Sequence, residues 1–138
     1  MRRRLCLLPL SPPFILRPAV IDSHNADELS QRGLDLLTAG SLEEAAAAFR
    51  AAIAADGKHV ESHHGLIRAL RDAGKVNESV AAAMALTVLT PHDPLAHTAL
   101  SIALQHAGHV PDAEAAAARA RILEWKIQLQ SPPEGFEP

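Results

Sequence analysis

A chain of 138 residues that is 48% apolar is long enough to bury the core of a single domain and is not disordered by composition. Its net charge of −3 is uneven, because residues 1–23 carry +3 and the rest of the chain −6, so the body repels phosphate backbones and nucleic acid is excluded as a partner. No apolar run approaches the roughly 20 residues of a membrane span, and the single cysteine, Cys6, rules out an internal disulfide and fits a reducing, cytoplasmic compartment.

Residues 1–23 read as a disordered leader, since Pro9, Pro12, Pro13 and Pro18 oppose any helix there. Arg2, Arg3 and Arg4 before Leu5-Cys6-Leu7-Leu8 resemble the start of a secretory signal, but the run breaks at Pro9 and no convincing A-x-A site follows. A transit peptide would need the amphipathic helix that the same prolines oppose. A disordered arm or a start codon placed too far upstream is preferred over a targeting segment.

Order is expected from about residue 24. Asn25 with Glu28 has the shape of a capping box, opening a helix over 26–39 with Leu29, Leu36 and Leu37 buried. Gly40 takes the left-handed position that ends a helix cheaply, and Ser41 with Glu44 is a second capping box for a helix over 42–55, rich in alanine. A third helix is predicted over 60–73, turned by Gly74, and a fourth over 76–89, ended by Pro91. Asp93-Pro94 places a cap and a first-turn proline ahead of a helix over 94–107. The last helix starts at Val110 and meets no stop before Ser131-Pro132-Pro133, so it runs to about 130, and residues 131–138 form a disordered tail.

These elements repeat. Ala39-Gly40 returns as Ala73-Gly74 and Ala107-Gly108, each 34 residues on. Leu36, Leu70 and Leu104 keep the same period, as do Glu44, Glu78 and Asp112, and small Ala45, Ser79 and Ala113. A fixed period of this size marks an array in which each unit buries its apolar face against its neighbours.

The units, at 26–59, 60–93 and 94–127, resemble those of the tetratricopeptide repeat (TPR) family. The family's marked positions fall on Leu29, Arg32, Gly33, Ala45, Phe49, Ala52 and Gly57 in the first unit. In the second they are His63, Leu66, Ile67, Ser79, Ala83, Leu86 and Pro91, and in the third His97, Leu100, Ser101, Ala113, Ala117, Ala120 and Trp125. The aromatic of the pattern survives only as Phe49, and Ala83 and Ala117 in its place imply closer helix packing or less stable units. The resemblance implies an all-α fold, a right-handed α-solenoid of three helix-turn-helix units over 24–130.

It also implies a non-enzymatic scaffold or adaptor that binds a partner peptide or helix in a concave groove lined by the first helix of each unit. The groove positions are Asp27, Ser30, Leu34, Leu37 and Thr38 in the first unit, and Glu61, His64, Arg68, Arg71 and Asp72 in the second. The third contributes Leu95, Thr98, Ile102, Gln105 and His106. Arg68 and Arg71 sit three apart on one helix face, either to pair with a partner's carboxylate or simply to solvate that face. Chaperone-tail-binding members hold a terminal carboxylate with a clamp of Lys, Asn and Arg. The corresponding Ser30, Leu34, Gly65, Leu95 and Ala99 cannot do so.

Other chemistries find little support. Tetrahedral metal sites want three or four protein ligands, and His59, His63 and His64 lie near no cysteine and in no H-E-x-x-H motif, so structural roles are expected and neither metal nor cofactor is. Cys6 has no catalytic partner, and Glu43-Glu44 serves a helix start. At the far end Ile122, Trp125 and Leu129 form a helical stripe. Trp125 is expected to fold back and seal the last unit. The alternative is that the stripe stays exposed and the chain self-associates, as a weak homo-oligomer, through its terminal helices.

Overall fold

The computed structural model describes residues 21–131, and the leader and tail expected from the sequence lie outside them except for Ile21 to Ser23 and Ser131. Six helices follow one another: α1 (Ser23–Thr38), α2 (Leu42–Ala55), α3 (Val60–Asp72), α4 (Val76–Leu89), α5 (Pro94–His106) and α6 (Val110–Gln130). Among the described residues there is no strand, and no helix is long and apolar enough to cross a membrane.

The turn inside each pair is set by one glycine. Gly40, Gly74 and Gly108 hold φ of 84°, 80° and 84°, a region costly to residues with a Cβ. The peptide N–H groups on either side then satisfy the last helical carbonyls: Gly40 N donates to Leu37 O at 3.1 Å and Ser41 N to Leu36 O at 2.9 Å. The pattern recurs at Lys75 N to Leu70 O and His109 N to Leu104 O, both 2.9 Å.

Two expected caps are corrected. Asp22, not Asn25, caps α1: its Oδ1 accepts from Asn25 N at 3.0 Å, and its own N donates to Ala55 O at 3.0 Å, so order begins inside the expected leader. Ser41 occupies the cap position of α2 without a side-chain cap bond. Asp93 does cap α5, accepting from Leu95 N at 3.0 Å with Pro94 in the first turn.

Each helix packs on the next, and the backbones of α1, α3 and α5 also come close along one row, whereas those of α2, α4 and α6 stand farther apart, α2 reaching α4 through the Arg50–Glu78 pair at 3.5 Å. The first helices therefore line the tighter, concave side of a solenoid.

Core packing differs between units. In the first, the ring of Phe49 is fully buried between two helices whose facing residues are Gly33 and Gly65. A Cβ on Gly33 would lie 2.7 Å from the ring, and one on Gly65 would also collide with it. The second unit exchanges the volumes: Ile67 stands where the first has Gly33, and fully buried Ala83 where it has Phe49, so the aliphatic chain fills the space the ring would take. Where the helices of later pairs cross, a buried serine bonds the facing backbone, Ser79 Oγ to Ile67 O at 3.0 Å and Ser101 Oγ to Ala113 O at 2.8 Å.

Trp125 does not seal the end. It is 69% exposed, and Leu123 and Ala120, at 3% and 4%, close the last core instead. The reason is length: α6 runs 21 residues against the 13 of α5, and Trp125 lies in the overhang.

The glycine–ring contact is testable. Gly65→Ala should lower unfolding free energy in urea by about 1–3 kcal/mol through overpacking. Combining it with Phe49→Leu should cost less than the sum of the two single changes, because the shortened side chain vacates the contested space.

Candidate functional site

The groove centres on α3. His64, Arg68 and Arg71 recur at four and three, so the helical period puts them on one face. That face looks into two clefts. One, of about 390 Å³ between α1 and α3, is lined by Leu34, Leu37, Glu61, His64, Gly65 and Arg68. The other, of about 360 Å³ between α3 and α5, is lined by His64, Ile67, Arg68, Arg71, Leu95, Thr98, Ala99 and Ile102. His64 and Arg68 are common to both, and form the ridge between them.

The apolar walls are open to solvent: Leu34 is 40% exposed, Leu95 63% and Ile102 36%. Between them the two guanidiniums share one carboxylate. Arg71 Nε lies 3.3 Å from Asp72 Oδ1, and Arg68 Nε 3.8 Å from Asp72 Oδ2. Exposed pairs of this kind are weak, so both guanidiniums stay open to another acceptor, while Glu61 also lines the first cleft. His64 is half-buried, and loss of hydration holds its pKa below the usual value of 6.5; Asp93 pulls it upward and His63 pushes it down again. The imidazole is therefore neutral near pH 7.

The expected groove residues divide. Leu34, Leu37, Glu61, His64, Arg68, Arg71, Leu95, Thr98 and Ile102 line the clefts. Ser30 is only 3% exposed, its hydroxyl buried without a partner. Gln105 and His106, in the last turn of α5, line neither cleft. Thr38 turns its hydroxyl back to Leu34 O at 2.9 Å. Gly65, Ile67 and Ala99 were absent from the expected set. Their signal was adjacency on the same helices to residues that were in it.

Asp27 is engaged elsewhere. Its Oδ1 lies 2.6 Å from His59 Nε2, and His59 Nδ1 lies 2.6 Å from Ser62 Oγ, an arrangement the sequence did not reveal because Asp27 and His59 are 32 residues apart. The three residue types are those of a hydrolytic triad, but Ser62 is fully buried and its hydroxyl cannot meet a substrate. The chain of bonds ties α1 to the start of α3. His63 and His97 act locally, each Nε2–H donating at 2.9 Å to a loop carbonyl, of Gly57 and Pro91.

Comparison with known proteins agrees with this architecture. Residues 36–101 match the tetratricopeptide repeat family model. No curated protein matches the chain by sequence. Among solved structures, the type III secretion translocator chaperone SycD of Yersinia enterocolitica superposes with a TM-score of 0.70 at 19% identity, over 83% of this chain and 81% of that one. SycD in complex with a peptide of the translocator YopD gives 0.68 at 19%, over 80% and 88%. The second TPR of Spaghetti, bound to an HSP90 peptide, gives 0.67 at 20%, over 73% and 94%. Three helix pairs repeating every 34 residues, each turned by a positive-φ glycine, together with the family match over residues 36–101, give this chain the architecture of a tetratricopeptide repeat array.

Proposed function

We propose that the concave face of this chain binds a segment of a partner protein, and that the chain works as an adaptor rather than a catalyst. The observation that carries this is the paired clefts: apolar walls on either side of a ridge that presents Arg68, Arg71 and His64. Such a surface suits a peptide whose apolar side chains straddle a carboxylate, since Arg pairs well with planar anions and the open walls gain by burial. Two of the similar structures hold peptides, one of YopD and one of HSP90. This chain lacks the basic clamp for a terminal carboxylate, so the ligand carboxylate assigned here is an acidic side chain within the segment. The site residues of the reading are Leu34, Glu61, His64, Arg68, Arg71, Leu95, Thr98 and Ile102. A cytoplasmic setting fits the lone Cys6.

The test is capture by the immobilised protein with mass-spectrometric identification of what binds. Arg68→Glu/Arg71→Glu should weaken the captured partner's affinity at least about tenfold, because like charges then face each other. Capture unchanged by that reversal would remove the arginines from the site.

Proton linkage gives a second test. In the free protein His64 titrates below its unfolded value, so the unfolded state binds more protons and the stability His64 contributes is lost as pH falls through about 6.5. A partner carboxylate beside the imidazole raises its pKa, so the complex takes up protons and affinity should rise over the same descent. His64→Gln should flatten both trends, measured by thermal melting and by titration calorimetry at pH 7.5 and 5.8.

A further inference from the structure

The two ends of the array fit each other. In the third unit a cleft of about 320 Å³ is walled by His97, Leu100, Leu104, Asp112, Ala115 and Ala116, and Met84 of α4, the outer helix of the preceding unit, completes it. Two periods earlier the equivalent residues Leu29, Arg32, Leu36, Glu44, Ala47 and Ala48 line a cleft of about 420 Å³. Among the described residues no outer helix precedes α1 to supply the wall that Met84 gives.

What completes such a cleft inside the chain is the flank of an outer helix. α2 packs on both α1 and α3, and α4 on both α3 and α5, whereas the backbone of α6 comes close to that of α5 alone among the described residues, with Val80 and Met84 of α4 reaching only its first half. Its free flank carries Ala118, one period after Met84, and one and two turns further on Ile122 at 45% and Trp125 at 69% exposure. Charge is complementary as well. The cleft on α1 and α2 bears Arg32 and Glu44, and the cleft on α6 bears Arg121 and Glu124, so each end offers one cation and one anion.

We propose that α6 of one copy docks into the α1–α2 cleft of a second copy, head to tail, so that the solenoid continues across the junction. Ala118 takes the place that Met84 holds within the chain, and Trp125 covers the open apolar wall beside Leu29 and Leu36. The contact is heterologous, using different surfaces on the two molecules, and each assembled pair keeps one free cleft and one free α6. The product is an open string of molecules rather than a closed dimer. The surface is separate from the concave groove and does not rest on the reading given for it.

Sedimentation of the full chain decides this with two variants at exposed positions, Ala47→Arg in the cleft and Trp125→Glu on α6. The wild type should show mass that climbs with concentration past two chains. Each variant alone should stay at one chain. An equal mixture should form a species of two chains and no larger, since one intact cleft and one intact α6 remain. A wild type that stays monomeric, or that stops at two chains, overturns the proposal, and so does a mixture that stays monomeric beside an assembling wild type. Assembly seen only after deletion of residues 2–20 assigns the cleft to the chain's own N-terminal segment and overturns it too. Ala51→Arg and Leu129→Glu replace either variant whose circular dichroism departs from the helical spectrum of the wild type.

Discussion

The ring of Phe49 fixes the distance between α1 and α3. It is the one buried aromatic among the described residues, and it meets backbone rather than side chain on both sides, at Gly33 and Gly65. Close packing leaves such a ring nowhere to move, so helix spacing here is set by the thickness of one side chain. The groove inherits that spacing. Leu34 follows Gly33 and His64 precedes Gly65, so the residues that wall the first cleft flank those that hold the ring. In the second interval the same work falls to aliphatic chains: Ile67 and Leu86 pack with Ala83, Ala96 and Ala103. Ile67 belongs to that core and also forms part of the floor of the second cleft, so core volume and groove shape are one variable there.

Charge organises what the packing positions. The body beyond residue 23 carries −6, yet the centre of its concave face presents two guanidiniums sharing a single carboxylate. Under the function proposed above, these guanidiniums are the points at which an acidic segment pairs, while the rest of the surface discourages nonspecific contact with polyanions. His64 sharpens this. Its burial keeps it uncharged near neutrality, so the ridge between the clefts has a polar group that costs less to desolvate than a cation would when a ligand covers it.

Much of this was legible in the sequence because the governing signals are local or periodic. The positive-φ turns follow from Gly40, Gly74 and Gly108, and five of the six helices start at or within a residue of their expected positions. What was not legible depends on distance or on length. Asp22 and Asn25 are both good caps, and which one serves is decided by the bond from Asp22 N to Ala55 O, a contact between residues far apart in sequence. Ser30 and Asp27 share a face with the groove residues by period, but tertiary packing buries the first and His59 reaches the second. Trp125 looked like a cap because its stripe is helical; whether α5 extends beneath it is a matter of relative helix length, which no pattern within α6 records.

In an array of three units only one first-position helix is flanked on both sides by others of its kind. α3 packs against α1, α2, α4 and α5, while α1 and α6 each lack a neighbour on one side among the described residues. Stability in such arrays is a sum over neighbouring contacts, so fraying enters from the ends and reaches the middle last. The side chains that face both clefts, His64 and Arg68, stand on that best-supported helix. Their backbone is ordered before any ligand arrives, which lowers the entropy cost of binding. The apolar walls, by contrast, come from α1 and α5, held on fewer sides. The central contacts are therefore the rigid part of the groove, and the flanking leucines and isoleucine are the part able to adjust to what lies in it.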